Sequence, residues 1–263
     1  MILTLVLAAL LLAAIMAGAW ALALRTGQSG WVDVVWSFGM GIAGVLVALL
    51  PSVDGPSSRQ FTVSALIAAW SLRLGLHIAK RSRRGPEDAR YAALRQEWGD
   101  AFPRRLFWFL QIQAVAAALL SVSILLAAHN PAPFPGAFDA AGILVMLIAI
   151  AGEGLADAQL RRFKANPANR RRVCDRGLWA WSRHPNYFFE WLVWVGYFLI
   201  AIAGFRPWGW LALSGPVFMY FLLVHVSGIP MTEQLMLKSR GQAFADYQAR
   251  VSSFFPLPKD ASK

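Results

Sequence analysis

The chain has 263 residues, 57% of them hydrophobic and only 15% charged, with a mean hydropathy of +0.49. A soluble domain carries about 25% charged residues, so the composition excludes an ordinary soluble enzyme and points to one integral membrane domain, all-α and polytopic. The net charge of +11 does not indicate nucleic acid, because the basic residues lie in loops between apolar segments and form no basic-aromatic recognition module; the single cysteine, Cys174, excludes an intramolecular disulfide and a Cys-x-x-Cys metal site and is read as incidental.

A spanning helix needs about 20 mostly apolar residues. Seven segments meet or approach this: Met1–Leu24, Trp31–Leu50, Phe61–Ala79, Leu106–Ala128, Gly136–Leu155, Tyr187–Phe205 and Trp208–Ser227. The first lacks a basic leading stretch, and its apolar run is too long for the core of a cleavable signal. The second opens with Gly30-Trp-Val-Asp-Val-Val-Trp36. Asp33 in that stretch has two readings: an interfacial acid favoured by the helix dipole, or an acid facing the bundle and able to hydrogen-bond a substrate carbonyl.

The third segment contains Trp70-Ser-Leu-Arg-Leu-Gly-Leu-His77. Arg73 and His77 are four residues apart and share one helix face, with Trp70 one turn earlier. Arg73 has no easy route to water from mid-helix. It therefore faces a polar interior, either paired with an acid such as Asp33 or Glu153 or in contact with substrate. Glu87, Asp88, Arg90 and Tyr91 follow in the connection to the fourth segment. The fifth ends with another four-residue pair, Glu153 and Asp157, and runs into Arg161, Arg162, Lys164, Arg170, Arg171 and Arg172. Lipid headgroups and topology explain such a basic run; a phosphate-binding rim explains it together with the acids, because arginine makes bidentate charge-assisted bonds to phosphate.

The most informative stretch comes next, Gly177-Leu-Trp-Ala-Trp-Ser-Arg-His-Pro-Asn-Tyr-Phe-Phe-Glu190. It is polar and basic, and it leads into the sixth apolar segment. Arg183, His184, Asn186, Tyr187 and Glu190 are thus crowded at the mouth of a membrane helix, where polar groups are costly and mark functional sites. Donors, an acceptor and aromatic rings together suit a large anionic cofactor better than lipid. The tail after Ser227 is too polar to span. It carries Glu233 and Tyr247 and is expected to form a short amphipathic helix that closes over the cofactor, with Tyr247 among the contacts.

Charge sets the orientation. Eight Lys and Arg fall in Lys80–Arg105, eight in Arg161–Arg183 and five in Lys238–Lys263; with Arg25 these are 22 of the 25. With seven spans the four regions share one face, which the positive-inside rule makes cytoplasmic, with the N-terminus outside. Arg59 and Arg206 fall on the other side, whose Pro/Gly-rich connections (Pro51–Pro56 and Asn130–Gly136) read as simple turns. No GxGxxG after a strand, P-loop, HExxH or GxSxG is present.

Asp157-Ala-Gln-Leu-Arg-Arg-Phe-Lys164, Arg176-Gly-Leu-Trp-Ala-Trp-Ser-Arg-His-Pro-Asn-Tyr-Phe-Phe-Glu190 and Ser227-Gly-Ile-Pro-Met-Thr-Glu233 resemble an uncharacterised bacterial membrane family that is itself similar to the C-terminal domain of steroid 5-alpha-reductases. Trp31-Val-Asp-Val-Val-Trp36, Trp70-Ser-Leu-Arg73 and Glu87-Asp-Ala-Arg-Tyr91 fit the same bacterial family, so that likeness covers nearly the whole chain; the likeness to the reductases is strongest over about 140–263. The resemblance implies a seven-helix membrane enzyme that binds NADPH at Asp157, Lys164, Arg171, Arg172, Asn186 and Tyr187, with Asn186 at the nicotinamide end and the basic residues on the phosphates. In those reductases a Glu and a Tyr polarise the substrate carbonyl. The corresponding positions are Asp33 and Trp70, and an indole supplies no labile proton comparable to a phenol, which leaves Asp33, Arg73 and His77 as the catalytic candidates.

The same His-Pro-x-Tyr signature is similar to one in isoprenylcysteine carboxyl methyltransferases, which use S-adenosylmethionine. Their tail helix carries paired glutamates and an upstream arginine, whereas this tail reads Thr232-Glu233-Gln234. The expectation is an NADPH-dependent reductase of an apolar, steroid-like or isoprenoid enone in a bacterial inner membrane, with no metal. The alternatives are an S-adenosylmethionine-dependent methyltransferase and a non-enzymatic lipid binder or transporter.

Overall fold

The computed structural model describes residues 1–50, 55–84 and 88–258, Arg84 as backbone only. Part of the Pro51–Pro56 turn, Glu87 and the last five residues lie outside the described residues. Among the described residues the chain is all-helical: α1 (Ile2–Thr26), α2 (Trp31–Leu49), α3 (Ser58–Arg84), α4 (Ala89–Trp98), α5 (Phe102–Ala128), α6 (Ala137–Ala165), α7 (Pro185–Ala201), α8 (Ser214–Phe221), α9 (Ile229–Arg240) and α10 (Gln242–Arg250). Six stretches are long and apolar enough to cross a membrane: α1, α2, α3, the run from Ala89 to Ala128, α6, and Pro207–Arg240. The protein is a polytopic membrane protein. The sixth expected span corresponds to α7, which at 17 residues sits at the lower end of the spanning range.

The seventh expected span is helical throughout but is not one α-helix. Pro207–Leu213 is 3-10, α8 follows, and Leu222–Val226 is a π-turn. Pro216 explains part of this. Without an N–H it cannot donate to the Ala212 carbonyl four residues back, and that carbonyl accepts the Ser123 hydroxyl instead, at 2.9 Å.

The chain forms two compact units. One comprises Met1–Gly142 with Tyr197–Gly215, the other Ile143–Gly196 with Pro216–Lys263.

In the first unit Leu12, Met16, Met40, Ile67, Trp70, Leu106, Leu110, Leu120 and Ile124 are fully buried. Ile2, Leu3, Leu10, Leu72, Leu76 and Ile112 are exposed and offer an apolar surface to lipid. Inside a bilayer the helices gain little from hiding apolar surface, so close packing and interhelical hydrogen bonds hold them together. The α2–α3 seam shows this. A Cβ on Gly41 would lie 2.1 Å from the Ser71 hydroxyl, which donates to the Ser37 carbonyl at 2.9 Å.

At one end of this unit the connection Asn130–Gly136 is an anchor and not the simple turn expected. Arg59, expected in a loop, belongs to the first turn of α3 and is 3% exposed. Its Nε donates to Asp139 Oδ1 (2.9 Å) and Nη2 to Oδ2 (2.8 Å), while Nη1 reaches the carbonyls of Asn130 and Ala132 and Nη2 that of Pro133. Asn130 Nδ2 in turn donates to the carbonyls of Ile200, Ala201 and Ala203 at 2.8–3.0 Å. Arg59 is thus a closure of the fold. A buried cation cannot be left unpaired in an apolar medium.

The second unit packs Phe244, Tyr247 and Val251 against Val173 and Met236. Beside them Phe254 and Phe255 meet Phe188, Trp191 and Tyr220, with ring centroids 5.3–6.1 Å apart. The tail is two short helices, α9 and α10, followed by an extended segment, where a single helix was expected.

Candidate functional site

The cofactor candidates all belong to the second unit. The approach to α7 is fixed by α6. Gly177 takes φ +60°, a left-handed conformation that a side chain resists, and Leu178 N–H donates to Gln159 Oε1 at 3.0 Å. Trp179 Nε1 donates to the Ala156 carbonyl at 3.0 Å. Ser182 then faces both ways: its hydroxyl donates to the Phe254 carbonyl (2.8 Å) and accepts from His184 N–H (3.1 Å).

Arg183 is committed to the fold. Nε donates to Glu233 Oε1 (2.7 Å), Nη2 to Oε2 (3.3 Å), and Nη1 to the carbonyls of Gln248 (3.0 Å) and Val251 (2.5 Å). Four of its five N–H donors are thereby used, so it has little left for a ligand. His184 Nε2 lies 3.0 Å from Glu233 Oε1, and its ring stacks on Tyr187 at 5.2 Å and 6°. Burial pulls the imidazole below its ordinary pKa, against the opposing pull of Glu233; it is therefore the neutral ring, donating Nε2–H to a carboxylate. Tyr187 shares a hydrogen bond with Thr232, 3.1 Å between hydroxyls. Tyr247 bonds the carbonyls of Trp179 (2.5 Å) and Ser182 (3.4 Å), and burial raises its phenol. It is a buried strut between α10 and the approach to α7. Burial likewise raises the Cys174 thiol, which suits an unreactive residue.

Asn186 differs from its neighbours. Its Oδ1 is buried and has no hydrogen-bond partner, at the head of a helix where every flanking polar side chain is engaged. Arg171 and Arg172 are exposed and make no side-chain bond among the described residues. Asp157 and Glu190 are buried, Lys164 is exposed, and each has a partner. Among the described residues Asn186, Arg171 and Arg172 thus carry side-chain groups without a partner, whereas Arg183, His184 and Tyr247 are bonded within the scaffold. Glu233, which closes the motif Ser227–Glu233, holds that scaffold together with Gln248; the motif marked Glu233 without giving it this role, and Gln248 carried no signal beyond being a polar residue in the tail.

Asp33, Arg73 and His77 belong to the first unit. Asp33 is bonded by α4: Arg90 Nη2 donates to Oδ2 and the Tyr91 hydroxyl to Oδ1, the latter at 3.0 Å. The pairing with Arg73 considered from sequence gives way to this one, because Asp88 caps α4 through Arg90 N–H (3.0 Å) and brings both α4 side chains over the start of α2. Burial would raise the Asp88 carboxyl, but its bonds to Arg90 outweigh that and hold it below the ordinary value. Arg73 and His77 are half-buried on one face of α3, and both are engaged. Trp70 is fully buried, its ring edge-on to Trp36 at 6.4 Å. No cluster of metal-binding side chains occurs among the described residues.

The chain belongs to the family described as a protein of unknown function, DUF1295, whose model matches residues 19–251. It is also similar to the uncharacterized protein C594.04c of Schizosaccharomyces pombe, 28% identical over a match 233 positions long, in which 76% of this chain is covered. The chain spans 64% of that relative's length. No solved structure matches.

Proposed function

We propose that this protein is a membrane-embedded, NADPH-dependent reductase of a carbon–carbon double bond conjugated to a carbonyl, acting on an apolar steroid-like or isoprenoid lipid in a bacterial inner membrane. The observation that carries this reading is Asn186. A buried amide oxygen without a partner costs about 1–3 kcal/mol. Its neighbours are all satisfied, so the exception marks a place where a ligand donor belongs. A nicotinamide carboxamide presents a carbonyl and an NH2 group side by side, and an asparagine side chain matches both.

The exposed guanidinia of Arg171 and Arg172, unpaired in the described fold, fit the phosphates. Lys164 adds charge on the same basic stretch. Bound NADPH would supply the hydride; the chain's part is to hold the nicotinamide, exclude water and provide a proton. Within the first unit, Tyr91 hydrogen-bonds Asp33 and adds to it the phenol that Trp70 lacks. The Asp33–Tyr91 pair is the proposed counterpart of the carboxylate and phenol of the resembled reductases, with Arg90 holding the charge of Asp33.

The decisive measurement is a thermal-shift titration of the detergent-purified protein with NADPH, NADH and S-adenosylmethionine. A ligand at 100 times its Kd stabilises by about 2.7 kcal/mol. NADPH is expected to stabilise and S-adenosylmethionine to have no effect. The opposite result would replace the reductase by a methyltransferase, and no shift with either would leave a lipid binder or transporter.

A further inference from the structure

We propose that Glu233 is a positioning residue for this site: from α9 it fixes the turn of α7 that presents Asn186. The inference rests on the reading of Asn186 given above.

Three observations carry it. First, the Glu233 carboxylate is full. Oε1 accepts Arg183 Nε (2.7 Å) and His184 Nε2 (3.0 Å), and Oε2 accepts Arg183 Nη2 (3.3 Å) and Gln248 Nε2 (2.6 Å). A carboxylate has about four lone-pair sites, so Glu233 has no capacity left for a ligand and acts through the residues it holds. Second, those residues bracket Asn186. The turn of α9 grips position 183 and position 184 through Glu233, and position 187 through the Thr232 hydroxyl. The ring of His184 stacked on Tyr187 ties the two grips together. Third, Asn186 makes no side-chain hydrogen bond of its own among the described residues. Only the backbone of this turn and its packing aim the amide, so whatever holds the turn sets the aim.

Gln248 extends the clamp to α10, and the tail reinforces it. Arg183 N–H donates to the Ser252 carbonyl at 2.8 Å and Leu257 N–H to the Trp181 carbonyl at 3.0 Å. The charge of Glu233 matters because Arg183 is only 11% exposed in its side chain. A guanidinium so enclosed needs an anion. Glu233→Gln keeps the size, removes the charge, and turns an N–H2 toward donors that formerly met oxygen.

The test combines two ligands and one ligand-free readout. Glu233→Gln is expected to weaken NADPH binding by about 10- to 100-fold, the scale of a misplaced contact. Adenosine 2′,5′-bisphosphate, which has the phosphates but no nicotinamide, is expected to bind within about twofold of wild type. In an Asn186→Leu background the Glu233→Gln change is expected to cost no further affinity. In the ligand-free protein, amide hydrogen exchange over residues 184–188 is expected to rise about tenfold or more while α2 is unchanged. Equal weakening of both ligands, additive losses in the double variant, or unchanged exchange at the head of α7 would each overturn the proposal. If wild type binds neither nucleotide, the reductase reading fails, and the exchange measurement alone decides whether Glu233 positions this turn.

Discussion

Asn186→Leu is expected to stabilise the ligand-free protein while damaging its function. The side chains are similar in size, and the substitution removes an amide oxygen that is buried without a partner. Leaving such a group unsatisfied costs about 1–3 kcal/mol, so the variant is expected to gain up to that amount, less any strain from the branched side chain. Binding moves the other way. If Asn186 gives one bond and accepts one from a carboxamide, each worth about 0.5–1.5 kcal/mol net, NADPH affinity falls by about 1–3 kcal/mol, or about 5- to 150-fold. Denaturant midpoints in detergent, measured with and without NADPH, read both effects on one sample, provided the slope of the transition is unchanged. A variant that is less stable without ligand and binds NADPH as wild type does would show that the oxygen is already satisfied, and the argument from Asn186 would fail.

Arg171→Ala and Arg172→Ala are each expected to leave stability within about 0.5 kcal/mol, since neither side chain has a partner in the described fold, and to weaken NADPH binding by about 1.5–3 kcal/mol; equilibrium titration against NADH shows whether either meets the 2′-phosphate. Asp139→Asn, which strips the anion from buried Arg59, is expected to cost about 3–5 kcal/mol in detergent unfolding, and the apolar pair Arg59→Met/Asp139→Leu to recover most of it; equal stability of wild type and the single variant would make the pair dispensable. His184 has a folded pKa below its unfolded value of about 6.5, so the unfolded chain binds the proton first. Its contribution is complete above about pH 6.5 and is lost as pH falls below that, at up to about 1.4 kcal/mol per pH unit; an identical pH slope in His184→Gln would assign the loss elsewhere. Single cysteines introduced into Lys80–Arg105 or Arg161–Arg183, with Cys174 replaced, are expected to resist impermeant reagents added to intact cells, because the positive-inside rule assigns these Lys- and Arg-rich connections to the cytoplasm; efficient labelling would refute that assignment.

Local chemistry alone determined the class and most of the spans of this protein. Apolar runs between charged connections can only be membrane helices, because no other arrangement satisfies a lone backbone segment in lipid. The same reasoning picked out the polar entry to α7, since an amide and arginines at a helix mouth are anomalous wherever they occur in three dimensions. What the sequence could not assign was which of those polar groups are spent. Arg183 and Asn186 look alike in one dimension, three residues apart in a single motif. The fold uses four donors of Arg183 on Glu233, Gln248 and Val251 and leaves the Asn186 oxygen empty-handed. Asp33 met Arg90 and Tyr91, 57 and 58 residues away, because the Asp88 cap turns α4 back over the start of α2. Arg59, which read as a stray loop charge, found Asp139 80 residues on. Hydrogen bonds depend on distances of about 3 Å, and such distances between residues remote in sequence exist only once the helices have packed.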